Sequence, residues 1–327
     1  MIKEGKVSTK IGVLKEVRGK VGEENFQILS VLSGLVAMMI FFSMASPYFF
    51  TMNNMMTVAL QTSIIAIIAI GQTFVLITTG IDLSIGSNMA IAGIVTSLAL
   101  VNGVPMIIAI MLGLITGIIS GLINGLLIVL GDLPPFVVTL GSMSIVRGLA
   151  LVITNGIPVS GLPKAFRYIG NGKVLDVPFS VIIMFLLTGI FGFILSKTKL
   201  GTHIYACGSN IEAARLSGIN TKKTLIQVYV FSGFLAACSG IILASRIASG
   251  QPSAGMGYEL FAVASAVIGG TSLAGGEGII TGTLIGALVI GVLRNGLNLM
   301  GVSAFLQEIL IGIVIILAVF ADRIKRK

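Results

Sequence analysis

Residues 55–78 read MMTVALQTSIIAIIAIGQTFVLIT, and one threonine later comes Gly80-Ile-Asp-Leu-Ser-Ile-Gly-Ser87. The first stretch holds no charged side chain and exceeds the roughly 20 residues that carry a helix across the hydrocarbon core of a bilayer. The second is a glycine-bounded interruption with one carboxylate in it. Working outward, Asp82 is the only acidic or basic residue between Asn25 and Gly131. The 327-residue chain is 55% hydrophobic and 10% charged, with a mean hydropathy of +1.07. That balance excludes a soluble protein with a charged surface. An all-α integral membrane protein is expected.

Apolar windows predict ten transmembrane helices, near Ile28 to Ala45, Met55 to Thr78, Ser87 to Val101, Pro105 to Leu130, Phe136 to Ile153, Pro178 to Ser196, Thr224 to Ser245, Leu260 to Gly270, Ile279 to Met300 and Phe305 to Phe320. Fifteen of the 21 Lys and Arg fall in three segments: Lys3 to Lys20, Lys197 to Lys223 and Arg323 to Lys327. Six spans precede the middle segment and four follow it. Both numbers are even, so all three segments fall on one side, which the positive-inside rule makes the cytoplasm. The net charge of +9 is thereby explained by topology, with no nucleic-acid partner. The organisation expected is a cytoplasmic tail over 1–25, a polytopic domain over 26–322 with its main cytoplasmic loop at 197–223, and a basic cytoplasmic tail over 323–327. The acidic residues of the N-terminal tail and the full-length apolar stretch behind it predict no cleaved signal peptide.

Within that loop, Ser209-Asn-Ile-Glu-Ala-Ala-Arg-Leu-Ser-Gly218 predicts a short polar helix. Ser209 and Glu212 have the spacing of a capping box, and Gly218 supplies a stop. A run from Asn210 to Ser217 is too short to be stable alone in water, so it needs a surface to pack on. The capping box by itself explains Glu212 as structure. A second recurrence lies in the spans, where Gly80, Leu83 and Gly86 match Gly270, Leu273 and Gly276 of Gly270-Thr-Ser-Leu-Ala-Gly-Gly-Glu277. Broken helices at matched positions mark the path in many transporters. The glycine ladders Gly113/Gly117/Gly121/Gly125 and Gly282/Gly286 read first as close helix packing and second as a dimer interface.

No sequence here has the spacing of a phosphate-binding loop; Arg18-Gly-Lys-Val21 lacks the first glycine and the hydroxyl. The chain is therefore expected to bind no ATP and to carry no catalytic residue. The lone His203 has no cluster at metal spacing, so no metal is expected. Cys207 and Cys238 read as structural thiols. Asp82, with Ser84 beside it, has two readings: a pathway or gating group, because an intramembrane carboxylate is costly, or a helix cap or salt bridge. Gln72, Asn124, Asn295 and Asn298, with Gln61, Thr139 and Ser142, either offer a hydroxyl-rich neutral solute hydrogen bonds or bridge helices. Arg147, Arg246 and Arg294 read as interfacial or paired.

Glu212-Ala-Ala-Arg-Leu-Ser-Gly218 resembles the cytoplasmic Glu-Ala-Ala-x-x-x-Gly loop of ATP-binding-cassette importer permeases. The segments Gly80-Ile-Asp-Leu-Ser-Ile-Gly86, Ile204-Tyr-Ala-Cys-Gly-Ser-Asn210, Gly257-Tyr-Glu-Leu260, Gly269-Gly-Thr-Ser-Leu-Ala-Gly-Gly276 and Asn295-Gly-Leu-Asn-Leu299 resemble the monosaccharide branch, ribose-type permeases in particular. Together they cover residues near 48 to 322. One departure is that the wider pattern continues with Ile-x-Leu-Pro where this chain has Val228-Tyr-Val-Phe231. The resemblance implies a homodimer in the bacterial inner membrane, surrounded by lipid. It also implies a cytoplasmic ATPase, often fused in tandem, that uses ATP and Mg, and an extracytoplasmic sugar-binding protein. Ser209, Glu212, Ala213, Ala214, Arg215 and Gly218 would then form the coupling helix. An ion-gradient-driven secondary transporter and a non-transporting membrane scaffold are the readings to be separated from it.

Overall fold

The computed structural model describes residues 23–325; the tail cations Lys3 to Lys20 and Arg326 to Lys327 lie outside the described residues. The described chain is helical almost throughout: α1 (Glu23–Ala45), α2 (Met52–Ile77), α3 (Ile85–Val101), α4 (Met106–Leu130), α5 (Pro135–Thr154), α6 (Lys164–Asn171), α7 (Phe179–Lys197), α8 (Lys199–Ser209), α9 (Ile211–Leu216), α10 (Thr221–Ile247), α11 (Tyr258–Ile268), α12 (Ile280–Leu299) and α13 (Ala304–Lys325). Every expected span has its helix. Seven of them are long and apolar enough to cross a membrane: Ile28–Ala45 within α1, and α2, α4, α5, α7, α10 and α12. The apolar parts of α3, α11 and α13 are shorter. The expected count of ten therefore becomes seven full-length helices and three short ones among the described residues.

A helix that is apolar all round belongs in a core or against lipid, and α2 and α1 divide those fates. From Thr62 to Ile77 every side chain of α2 is buried, whereas Leu29, Val36, Ile40, Phe41 and Met44 of α1 are exposed. The other central helix is α10, packed on α2, α3 and α4. Glycine makes this approach feasible. A Cβ on Gly117 would meet the Gly233 carbonyl, and one on Gly121 the Tyr229 carbonyl, both on α10, while one on Gly113 would meet Thr96 on α3, so the ladder on α4 is filled by α10 and α3. The second ladder is filled too: Cβ atoms on Gly282 and Gly286 would strike the carbonyls of Gly269 and Ser265, at and just beyond the end of α11. Both ladders thus serve contacts within the chain.

Two helices match neither an expected span nor the expected short polar helix: α8, which lies in the segment expected as a loop, and α6. Between α5 and α7 the chain forms α6, started after Pro163. A two-residue antiparallel ladder follows, β1 (Lys173–Val174) with β2 (Val177–Pro178). Ser245 Oγ at the end of α10 accepts from Gly170 N at 2.7 Å and donates to Phe166 O at 2.6 Å, fixing α6 over the bundle end. Beside it, Val159 and Gly250 exchange both backbone hydrogen bonds at 2.9 Å, tying together the 155–163 and 248–257 loops.

Candidate functional site

The first break, between α2 and α3, is built around Asp82. Its Oδ1 accepts from the Ser84 backbone N–H (2.9 Å) and from Ser84 Oγ (2.6 Å), and its Oδ2 accepts from Ser232 Oγ on α10 (2.7 Å). Asn88 Nδ2 and Asn124 Nδ2 both donate to Ser84 Oγ, at 3.1 and 2.9 Å, and Ser120 Oγ donates to Asn88 Oδ1 at 2.6 Å. Thr139 Oγ1 on α5 donates to the Ile81 carbonyl at 2.9 Å. Asp82, Ser84, Asn88, Asn124, Ser232 and Thr139 are all buried. Three donors on one enclosed carboxylate satisfy the need of a buried charge for hydrogen-bonded partners. The network joins α3, α4 and α10, and the Thr139 bond adds α5.

The candidate path residues therefore separate. Asp82, Ser84 and Asn124 are brought together. Gln72 is buried in α2, with neither amide atom hydrogen-bonded among the described residues. Asn295 is held elsewhere, in a reciprocal amide pair with Asn54 at 2.9 and 2.8 Å that ties α12 to α2. Asn298 is exposed. Ser120, Asn88 and Ser232 complete the Asp82 network and were not singled out in the sequence. Asn88 is four residues beyond Ser84 and so shares its helix face, a spacing legible in retrospect.

The second break, between α11 and α12, carries no acid at the position matching Asp82; Ser272 stands there. Its path is made by positive φ values at Gly270, Gly275 and Gly276, backbone that only glycine adopts cheaply. The two breaks touch where Gly276 N donates to the Ile77 carbonyl at 2.9 Å. The end of α8 packs on this meeting point, since a Cβ on Gly208 would collide with the Ile77 carbonyl and lie 2.7 Å from Gly276 N. Tyr205 Oη, also on α8, donates to the Gly278 carbonyl at 2.6 Å. Residues far apart in sequence thus form one joint.

From that joint the chain passes straight into α9. The expected capping box is corrected: Ser209 is the last residue of α8, and Asn210 is the N-cap. Its backbone is extended, and its Oδ1 accepts from the N–H groups of Glu212 (3.0 Å) and Ala213 (2.9 Å). Asn and Ser are comparably good caps, so their adjacency hid the choice. Glu212 turns instead to Arg215, whose Nε donates to Oε2 at 3.2 Å and whose Nη2 donates to Oε1. That hydrogen bond first, and the charge second, hold the Glu212 carboxyl below its ordinary range and the Arg215 guanidinium above its own. Gly218 acts as the expected stop. With φ +84°, its N–H reaches the Arg215 carbonyl at 3.0 Å and Ile219 N reaches the Ala214 carbonyl at 3.1 Å, a Schellman motif. Ala214 is buried, while Ile211 is 48% and Leu216 77% exposed.

Residues 54–319 match a family described as the permease component of the branched-chain amino acid transport system. The chain belongs to this permease family. Among its relatives, the permease is 46% identical to the ribose import permease protein of Bacillus subtilis strain 168, over 91% of this chain and 94% of the relative. It is 45% identical to the ribose import permease protein of Escherichia coli K12, over 90% and 93%. It is also 38% identical to the D-allose transport system permease protein of the same strain, over 91% of each. No solved structure matches the permease.

Proposed function

We propose that the chain is the membrane-spanning subunit of an ATP-driven importer for a monosaccharide, ribose or a similar sugar, working by alternating access. It acts as a homodimer, with both termini in the cytoplasm of a bacterial cell. A cytoplasmic ATPase, separate or tandem-fused, consumes ATP and Mg, and an extracytoplasmic binding protein delivers the sugar to the segments Thr154 to Val177 and Ala248 to Tyr258. The sugar class rests on the similarity to ribose and allose permeases along nine-tenths of the chain.

The coupling half rests on one observation: a two-turn helix, capped at both ends, that exposes Ile211 and Leu216 and is joined through α8 to both helix breaks. Exposed apolar side chains on a helix too short to stand alone suit a groove on a partner. Force on α9 reaches Gly208, and from there Ile77 and Gly276, without crossing a flexible linker. The buried Asp82 network serves as a pin that keeps α3, α4 and α10 moving as one body.

Glu212→Ala combined with Gly218→Asp should abolish ATP-driven ribose uptake and the stimulation of ATPase activity by the loaded binding protein, with the permease still in the membrane. Survival of both activities would overturn the coupling role. Uptake by energised vesicles without ATP would overturn the ATP-driven reading itself.

A further inference from the structure

We propose that a pocket between α11, α12 and α13 is a contact site for the sugar's hydroxyl groups, through Arg294, Glu308, Gln307 and Tyr258. This rests on the sugar-importer reading above. The pocket measures about 290 Å³, at the small end of ligand sites and in scale with a single sugar ring. Its place in the bundle fits delivery from outside. Arg294 precedes Asn295, whose amide pairs with Asn54 near the start of α2, whereas α8 and the coupling helix brace Ile77 at the other end of α2. The pocket therefore sits toward the end of the bundle away from the motor.

The lining chemistry matches a neutral polyol. The Arg294 guanidinium lies over the Phe261 ring, 4.5 Å from its centroid, and 5.8 Å from that of Tyr258. Stacking occupies the face of the guanidinium and leaves its five N–H donors at the edge. Among the described residues Arg294 makes no hydrogen bond or ion pair, and neither does Glu308, the acid that α13 contributes to the same pocket. Gln307 Nε2 is committed to the Val302 carbonyl at 2.9 Å, which leaves its Oε1 as an acceptor. Tyr258 and Phe261, edge to face at 5.5 Å, offer an apolar wall for the C–H face of a ring. One cation and one anion without a mutual ion pair line the pocket, with Arg246 near enough to repel Arg294, and their N–H donors and carboxylate acceptors suit the hydroxyl groups of a sugar.

Three other polar or hollow sites differ in chemistry. A larger cavity of about 440 Å³ between α3, α4 and α5 is lined mainly by side chains such as Ile119, Ile123, Leu127, Val137 and Ile145, chemistry for hydrocarbon. Arg147 is already spent on the carbonyls of Pro252 and Ala254, at 2.6 and 2.7 Å. The Asp82 carboxylate is closed off by its own hydrogen bonds.

The test uses the complete transporter in proteoliposomes, with labelled ribose as the probe and Arg294→Gln and Glu308→Gln as separate variants. Each should lower ribose uptake by about tenfold or more, the scale of one lost hydrogen bond to a charged group, while ATPase stimulation by the loaded binding protein stays within about twofold. Uptake within twofold of the unaltered transporter in both variants would overturn the site. So would loss of uptake and ATPase stimulation together, which would make these residues part of assembly or coupling. Failure of the importer reading shows separately, as ATP-independent or absent ribose uptake by the unaltered transporter.

Discussion

The two helix breaks share a glycine spacing and differ in what fills it. In Gly80 to Ser87 the side chains do the holding: Asp82 gathers Ser84 and Ser232, and through Ser84 the amides of Asn88 and Asn124. In Gly270 to Glu277 the backbone does most of it, with three glycines at positive φ and a main-chain bond from Gly276 to Ile77, and Ser272 Oγ adds one local bond by accepting from Ala274 N at 3.0 Å. The first break is a pin buried among four helices. The second is a joint, pressed between the end of α2 and the end of α8. The matched glycines do not share a backbone conformation, since Gly270 and Gly276 have positive φ whereas Gly86 lies within α3, and the residues between them decide whether the break is held mainly by buried polar side chains or mainly by backbone.

The largest expected effect falls on the pin. Asp82→Ala strands the Ser232 hydroxyl and the donors of the Ser84 turn, and should destabilise the purified permease by about 1–3 kcal/mol for each buried donor left unpaired, read as a lowered thermal midpoint. Asp82→Asn, which keeps acceptor capacity on one oxygen, should cost less. An unchanged midpoint with transport lost would break the comparison, because Asp82 would then be contacting solute. At the joint, Gly208→Val drives a side chain into the Ile77 carbonyl, an overpacking cost of about 1–3 kcal/mol. Its signature should be ATP hydrolysis persisting while uptake falls; uptake equal to that of the unaltered permease would remove α8 from the force path.

Gly275→Ala probes the second break more gently. With φ at +82° and the Gly208 and Ile77 carbonyls within 3.0 Å of the new Cβ, it should cost about 1–2 kcal/mol in chemical or thermal unfolding. The smallest effect belongs to α9. Asn210→Ala removes a cap worth about 1 kcal/mol and should speed amide hydrogen exchange at Glu212 and Ala213, whereas Ser209→Ala should leave exchange there unchanged. Equal acceleration by the two substitutions would restore the serine cap.

Much of this was legible along the chain because the membrane imposes long apolar stretches, and each expected span has a helix at or near its place. The short polar helix was legible to within one residue, and its stop at Gly218 fully so, since a positive-φ glycine after a short helix is a local signal. The cap was misread because Ser209 and Asn210 compete with similar propensities, and only the extended backbone at Asn210 separates them. α6 went unread because Lys164, Arg167 and a run of only eight residues give no span-like window. Asn295 and Asn124 looked alike in sequence, yet one pairs with Asn54 and the other joins Asp82. Nothing local distinguishes two asparagines whose partners lie hundreds or tens of residues away.

By itself the sequence determined an all-α membrane permease with glycine-broken helices and a short capped polar helix, because lipid selects on composition and length, and caps and stops are set by neighbours in the chain. Only the tertiary structure decided which carboxylate is sealed, which glycines are in contact, and that Ile77, Gly208 and Gly276 form one joint. It alone brought Arg294, Glu308 and the Tyr258 and Phe261 rings to a common pocket. Those are matters of long-range approach, settled by how α2 and α10 pack at the centre, and no local propensity encodes a distance between residues far apart in the chain.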